Sequence, residues 1–293
     1  MYLLMLLPFL VIANDKVSKN ATNKQELIWF VEDKAENKHL LDENYEISSP
    51  STHIERLIIT SLQKYNIIVK RSSSSRISQS IKDQNNVCTA NRANTKARRA
   101  YSLFSSPQSF YLTHKLYRYK GKRPLSHALL NEKGQIKSLS HIFKVYPNHT
   151  IGIAKGVSFG EFLDKQISKL EHEDIYYLGG TNRVTALESM LYSERFDFLL
   201  ALPIDMEPTE KQKQQLEYYP IAGAPPYLIA HINCSNSDLG KKAIQDINLI
   251  LEQLYQSPKY YKAHQKWFSE KELSLLQLYL KQRFTDKTYI SKD

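Results

Sequence analysis

The feature that most constrains the fold of this 293-residue chain is an alternation of short apolar stretches and helical patterns that occurs twice. The first series of apolar stretches, each typical of a buried strand, covers residues 27–31, 66–70 and 87–88. The second series covers residues 150–154, 175–178 and 196–202. Apolar residues at helical spacing separate the stretches within each series. Such alternation is typical of a parallel sheet flanked by helices, so the sequence predicts two α/β units.

The rest of the chain predicts the elements that join and complete these units. A capping-box spacing of Thr52 and Glu55 predicts the start of the first helix. Further strands are predicted at residues 110–118 and 227–232. Further helices are predicted at residues 129–143, with an interruption at Gly134, at residues 239–254, and around Leu273, Leu276 and Leu280. Two stretches that contain Gly and Pro predict crossings between the units, near residues 118–126 and 221–226.

Candidate binding residues follow the strands of the first unit, because ligands of parallel sheets sit beyond the carboxyl ends of the strands. Trp29 and Glu32 lie at the end of the first strand. Trp29 could stack on a ligand or pack in the core, and Glu32 could accept from a ligand amine or be solvated. The loop after the third strand carries Thr95 and Arg98. A guanidinium matches the two oxygens of a carboxylate, so Arg98 is a candidate anion anchor, with a basic surface loop as the alternative.

In the second unit, residues 156–160 spell G-x-S-x-G between a strand and a helix. One interpretation is the nucleophile turn of an α/β-hydrolase, an esterase-like enzyme that uses Ser158 between Gly156 and Gly160. Its candidate partners are Asp197 or Asp205, then His231 or His264. A second interpretation is an anion-binding turn at a helix start, formed by Gly156, Ser158 and Phe159. A plain helix cap at Ser158 is the third.

The charge of the chain raises the question of nucleic acid, since the formal net charge is +10 and the pI is near 9.3. The basic residues are dispersed, and no zinc-finger spacing or aromatic RNA-binding run is present. We therefore expect no nucleic-acid partner. A basic protein that collects anionic solutes, or lies near anionic lipid, fits the same charge. The nine histidines are scattered without metal-ligand spacing, so we expect neither a metal nor a cofactor.

The N-terminal region predicts export. Residues 3–13 form an unbroken apolar run that is too short to span a bilayer as a helix. The run fits the apolar part of a secretory signal, with Val11 and Ala13 as the small residues before a cleavage site. We therefore predict a signal peptide at residues 1–13 and a soluble, periplasmic protein. No Lys or Arg precedes the run, so the signal is weak or begins upstream, and a buried strand is the alternative.

The only two cysteines are Cys88 and Cys234. Export would bring them into an oxidising compartment, where a disulfide can form. Two separate buried thiols are the alternative, and the cysteines themselves do not decide between the two.

The order of these features resembles a known family, the periplasmic (extracellular) solute-binding proteins of the type 2 fold, family 3, which are amino-acid-binding-like. Thr95 and Arg98, with Phe104 six residues after Arg98, match the family's T-x-x-R motif and the F-S-x-P turn that follows it. The family's glycine and hydroxyl turn in the second lobe is matched by Gly156 and Ser158.

The resemblance implies a role for several residues. Arg98 would bind the carboxylate of the ligand, and Ser158 would contact it from the second lobe. The strands that carry Cys88 and Cys234 would be neighbours in the first lobe, which favours their pairing. Two departures set this chain apart as a divergent branch. The family's Pro-Pro pair after the first strand is missing, and Leu202 or Pro203 takes the place of the Asp that holds an α-amino group.

The sequence therefore predicts an α/β, two-lobed type 2 periplasmic-binding fold, in which hinge closure buries a ligand in the cleft. The first lobe is expected to comprise residues 24–118 with 222–285, and the second residues 119–221. The predicted function is capture of a small polar solute, anionic or amino-acid-like, by a monomer that is not an enzyme. Its partner would be an ABC-type membrane permease or a sensor receptor. The alternatives are the esterase and a non-binding sensor or partner module of the same fold. The predicted ligand-binding residues are Arg98, Thr95, Ser158, Trp29, Glu32, Gly156 and Phe159.

Overall fold

A computed structural model describes residues 24–32, 36–47, 49–120, 124–180, 182–206 and 208–282. The predicted signal peptide lies outside these ranges. The described strands are β1 Gln25–Glu32, β2 Tyr65–Ser72, β3 Val87–Arg92, β4 Ser102–Leu112, β5 Lys115–Tyr119, β6 Ile151–Ala154, β7 Ile175–Leu178, β8 Phe198–Ala201, β9 Leu216–Tyr219 and β10 Tyr227–Ser235. The described α-helices are α1 Pro50–Ser61, α2 Ser74–Asp83, α3 Lys96–Arg99, α4 Leu139–Val145, α5 Glu161–Ile167, α6 Arg183–Tyr192, α7 Glu210–Gln215, α8 Asp238–Tyr255, α9 Pro258–Gln265 and α10 Glu270–Leu280.

The strands form two sheets of five, with the same internal order. The first sheet runs β2-β1-β3-β10-β4 and the second runs β7-β6-β8-β5-β9. In each sheet four strands run in the same direction. The strand in the fourth position, which arrives from the other lobe, runs antiparallel to both of its neighbours. This arrangement confirms the predicted α/β architecture of two sheets flanked by helices.

Strand β1 shows how the sequence produces the first lobe. Five consecutive residues from Leu27 are buried, which is typical of a strand covered on both faces. Because side chains alternate along a strand, Trp29 and its alternate neighbours join the main core, whereas Ile28 and Phe30 pack with α2 on the opposite face. Helix α2 contributes Ile77 and Ile81 to that smaller cluster at the spacing of one helical turn.

The C-terminal helices return to the first lobe, as the resemblance implies. The amphipathic helix α8 buries a stripe of residues at helical spacing against the main core, and α9 and α10 extend the same core. The buried members are Ala243, Ile244, Ile247, Leu251, Tyr255, Tyr260, Ala263, Phe268, Leu276 and Leu280. The first lobe is therefore a discontinuous unit that the chain leaves and re-enters.

The first crossing differs from the prediction. The chain passes from β4 to β5 through Thr113 and His114, and β5 pairs with β8 and β9 in the second sheet. Residues 115–118 therefore belong to the second lobe and not the first. The sequence pattern missed this point because the strand-like alternation of residues 110–118 continues across the two-residue break. The second crossing lies between β9 and β10, the stretch that contains residues 221–226.

Cys88 and Cys234 form a disulfide between β3 and β10. The two residues lie directly opposite each other in the antiparallel pair, with 4.1 Å between their Cα atoms, and both are fully buried. Of the two possibilities left open by the cysteines alone, the structure has the bonded one.

Two local predictions are wrong. Helix α1 begins at Pro50, after Ser49, so Thr52 and Glu55 are buried within the helix and do not cap it. The stretch 129–143 is interrupted at Gly134, as predicted, but the part before it is not an α-helix. Leu130 and Ile136 pair across a turn at Gly134, whose φ is +70°, and α4 begins only at Leu139. Within the described ranges, no helix has the length and apolar character needed to cross a membrane.

Candidate functional site

A cavity of about 560 Å³ lies between the two lobes. Its walls include the carboxyl ends of β1 and β3 from the first lobe and of β6 and β8 from the second, the edge at which ligands of such sheets bind. The charged residues of the described wall are Glu32, Glu36, Glu55, Arg92, Arg98, Arg183, Glu188 and Asp205. A small polar solute is of a size to fit this space.

Arg98 lines the cavity and is partly buried. It lies in the short helix α3, whose N-cap is Thr95, and the Arg98 N–H donates to Thr95 Oγ1 at 3.4 Å. The Arg98 guanidinium donates to Ala93 O through Nη1 at 3.0 Å. Thr95 is not among the residues that line the cavity, so in this structure it fixes the turn that presents Arg98.

Glu32 also lines the cavity, and it joins the two lobes. Its Oε2 accepts from Arg183 Nη2, at the start of α6 in the second lobe, at 3.1 Å. Its Oε1 lies 3.7 Å from Arg92 Nη1 of its own lobe. The predicted acceptor for a ligand amine is therefore engaged by two arginines, and its ion pair with Arg183 links the two lobes.

Arg92 is a buried cation that the sequence analysis missed. It ends β3, and its guanidinium donates to Ser74 Oγ at 2.6 Å and Ser74 O at 3.1 Å. Burial lowers the pKa of Arg92 to about 10, with Arg98 as the second cause, while Glu32 opposes the shift. Ser74 Oγ also lies 3.2 Å from Gly156 O, so this network continues into the second lobe.

The predicted turn of the second lobe is engaged locally. Ser158 Oγ donates to Asp164 Oδ2 at 2.5 Å and accepts from Gly160 N at 3.2 Å. The Phe159 N–H donates to Asp164 Oδ1 at 2.8 Å. Ser158 and Phe159 line the cavity, but Gly156 lies outside its wall, with φ +81°. The turn is thus closed on Asp164 of α5. The N-cap of that helix is Gly160, so the plain cap at Ser158 is not formed.

His114 places an uncharged ring at the first crossing. It is 5% exposed, and its ring centroid lies 4.7 Å from that of Phe159, across the lobes. Burial lowers the pKa of His114 to about 3, so the ring is neutral at physiological pH. Its Nδ1 is buried without a hydrogen-bond partner, and the residue lines the cavity.

Trp29 does not line the cavity, contrary to the prediction that it stacks on a ligand. It is fully buried in the main core, because it faces α1 from the central part of its sheet. Its Nε1 donates to Glu55 Oε1 at 2.6 Å. Glu55 does line the cavity, and burial raises its pKa from about 4.5 to about 8, so it is mainly protonated at neutral pH.

Acidic groups reach the cavity from the second lobe as well. Glu188 of α6 accepts from Tyr192 OH at 3.1 Å, and Asp205 follows β8 in a short 3₁₀ helix. Leu202 and Pro203 follow β8 directly, and the first carboxylate after the strand is that of Asp205, which lines the cavity. The cavity therefore carries both signs of charge.

The hydrolase arrangement is not assembled around Ser158. Both candidate histidines are engaged elsewhere, His231 Nδ1 with Ser105 O at 2.8 Å and His264 with Phe110 N and Tyr260 O. Asp197 Oδ2 accepts from the Thr150 N–H at 2.8 Å. Since a nucleophile needs a base within hydrogen-bond reach, this geometry gives no support to the esterase interpretation. Over the described residues, no group of three or more His, Cys, Asp or Glu side chains could hold a metal ion.

Of the predicted ligand-binding residues, the cavity wall brings together Glu32, Arg98, Ser158 and Phe159. The sequence analysis missed Arg92, Arg183, His114 and Glu55. Arg92 had one visible signal, a charged residue at the end of a buried strand. Arg183 also had one, since it begins a helix directly after the glycine turn at residues 179–180.

The sequence matches no protein-family model and no curated protein. Solved structures do match. A mutant of ArgBP from T. maritima aligns with a TM-score of 0.57 at 17% identity, over 84% of this chain and 96% of that one. A structure from work on glutathione import through GshT and the cystine ABC importer TcyBC of Streptococcus mutans aligns with a TM-score of 0.59 at 14% identity, over 83% and 95%.

A third match is a histidine kinase sensor domain described as similar to periplasmic binding proteins. It has a TM-score of 0.60 and 10% identity, over 84% of this chain and 97% of that one. These identities are low, and the likeness is one of fold. The chain has the two-lobed type 2 periplasmic-binding fold, as predicted.

Proposed function

We propose that this chain is an exported solute-binding protein that captures a small polar solute, anionic or amino-acid-like, between its lobes and performs no chemical reaction. The observation that carries the proposal is the shared cavity, to which Arg98 and Glu32 come from one lobe and Arg183 and Phe159 from the other. Solved structures of the same fold include an ancestral arginine-binding protein and the glutathione and cystine import structure, which supports a solute of this class.

The two signs of charge in the cavity support a polar ligand in particular. Arg98 is the candidate anchor for a carboxylate, while Glu188 and Asp205 offer acceptors for a donor group of the same solute. Phe159 and His114 supply an apolar surface between them. Delivery to an ABC-type permease is the role we propose for the closed, loaded form.

A thermal-shift screen of the purified protein with L-amino acids, monocarboxylates and dicarboxylates tests the proposal. A solute present at about 100 times its Kd should raise the Tm by roughly 5 °C or more. Arg98→Ala should lower the affinity for that solute tenfold or more, since a charge-assisted contact is lost. Arg99→Ala is the matched control, because Arg99 is exposed and bonded to Asn94. Equal stabilisation of wild type and Arg98→Ala by the solute would mean that Arg98 does not bind it.

Native mass spectrometry of protein purified from its own host would weigh any solute that remains bound, and so identify the ligand directly.

A sensor module is the second candidate, favoured by the match to a histidine kinase sensor domain. A sensor that binds solute would pass the same screen and differ only in its partner. A module that no longer binds would give no shift with any compound.

A further inference from the structure

Arg183 presents a buried donor that the protein does not satisfy. Among the described side chains, the buried polar atoms without a hydrogen-bond partner are Ser109 Oγ, His114 Nδ1, Arg183 Nε and Tyr260 OH. Two of these, His114 Nδ1 and Arg183 Nε, belong to residues that line the cavity. The Arg183 side chain is 4% exposed, and a buried donor on a charged group without an acceptor is unfavourable. An acceptor brought by a ligand would supply the missing partner.

The rest of the Arg183 guanidinium is held in place. Nη1 donates to Gly180 O at 2.8 Å and Nη2 donates to Glu32 Oε2 at 3.1 Å. These two contacts come from opposite lobes and fix the plane of the guanidinium, since its donors form a rigid fork. The Nε–H therefore has a set direction before any ligand binds.

The charges near Arg183 favour an anion. The electrostatic neighbours of Arg92 include Arg98 and Arg183, with Glu32 as the carboxylate among them. Arg92 thus lies near two further guanidiniums and one carboxylate. Buried cations placed this close to one another are stabilised by an anion between them.

The second lobe needs a ligand contact other than the predicted one. Ser158 Oγ already donates to Asp164, and its accepting capacity is directed to Gly160 N. Arg183, by contrast, retains an unused donor.

We propose that Arg183 is the ligand-binding residue of the second lobe, and that its Nε–H donates to the carboxylate or other oxyanion that Arg98 holds from the first lobe. The inference rests on the proposed function and adds that one anionic group of the solute is gripped from both lobes. Glu32 then has the role of positioning Arg183, since its carboxylate accepts from Arg183 Nη2.

Isothermal titration separates ligand contact from simple closure of the lobes. The probes are the carboxylate with the largest thermal shift in a panel of L-amino acids and succinate, its primary amide, and inorganic phosphate. The proteins are wild type, Arg183→Gln, Arg183→Lys, Glu32→Gln and Arg98→Ala, each checked for folding by circular dichroism and Tm. Arg183→Lys keeps the positive charge that faces Glu32 but has no Nε–H fork, so it remains informative if Arg183→Gln folds poorly.

We expect both Arg183 variants to lower the affinity for the carboxylate at least tenfold. The amide should bind wild type at least tenfold more weakly than the carboxylate does. Glu32→Gln should weaken carboxylate binding by less than either Arg183 variant does, because Gln keeps an oxygen that accepts from Arg183 Nη2. Tight phosphate binding with the same variant pattern would assign the site to oxyanions in general.

Three results would overturn the inference. The first is an equal loss in Glu32→Gln and the Arg183 variants, which would mean that Arg183 acts only through its bridge to Glu32. The second is equal binding of carboxylate and amide. The third is a loss in Arg98→Ala without one in either Arg183 variant, which leaves the proposed function intact. If no compound in the panel binds wild type, the proposed function itself fails.

Discussion

The two lobes share one strand order, but they hold their parts of the site in different ways. In the first lobe, strands of six to eleven residues end directly at the cavity, and Glu32 and Arg92 are the last residues of β1 and β3. In the second lobe, strands of four or five residues are followed by turns, and the charged contact comes from the start of α6.

The two lobes also differ in what supports the cavity wall. The first lobe has a disulfide between neighbouring strands, a large core shared with three C-terminal helices, and a network of bonds behind its cavity wall. The second lobe reaches the site through a helix start and a turn closed on Asp164. We call the first lobe the fixed half of the site, because a disulfide, a large core and bonded groups lie behind its cavity wall.

The largest expected effect tests the fixed half. The disulfide closes a separation of 146 residues, and its removal from the double variant Cys88→Ser, Cys234→Ser should lower the free energy of unfolding by about 2–5 kcal/mol. Urea unfolding with and without reductant measures this.

Reductant should destabilise wild type and leave the double variant unchanged. If the lobes unfold in separate steps, only the step of the first lobe should move. A wild type indifferent to reductant would contradict the role given to the disulfide.

The second expected effect concerns Glu55, a buried acid of the fixed half. Its folded pKa of about 8 lies above its ordinary value of about 4.5, so the unfolded chain releases this proton at lower pH than the folded one. Stability from this group is therefore intact below about pH 4.5, and it falls as pH rises towards 8.

Glu55→Gln removes that loss, and Gln retains an oxygen for Trp29 Nε1. Relative to wild type, the variant should gain roughly 1.4 kcal/mol for each pH unit between about 5 and 8. Thermal or urea unfolding across this range measures the difference. A constant difference between the two proteins would show that Glu55 does not titrate in this window.

The smallest expected effect concerns the turn of the second lobe. Ser158→Ala removes the bonds to Asp164 and Gly160, which should cost about 1 kcal/mol of stability. Solute affinity should change by less than threefold, and a serine-directed fluorophosphonate should label neither protein. Labelling of wild type that is lost in the variant would restore the esterase interpretation.

The fold was largely predictable because most of its strands and helices have a recognisable pattern within their own residues. Five buried residues in a row identify β1, and helical spacing identifies α8. The first crossing was misplaced because a break of two residues, Thr113 and His114, does not interrupt the alternation on either side.

The site was predictable only where the sequence carries a motif. Arg98 was found through its spacing to Thr95 and Phe104. The partners of Arg183 are Glu32, 151 residues away, and an acceptor that the protein itself does not supply, so no local pattern identifies it. Trp29 was misassigned because its position in the strand places it against α1, and its face is decided by the packing of the sheet.

The Cys88–Cys234 bond also changes the connectivity of the molecule. The entire second lobe lies between these two residues, so it is an insertion within a single covalent ring. A protease that cuts once at an exposed point of that ring opens a loop without freeing a fragment. The nicked protein keeps its full mass until the bond is reduced, and both halves of the binding site remain tethered to each other.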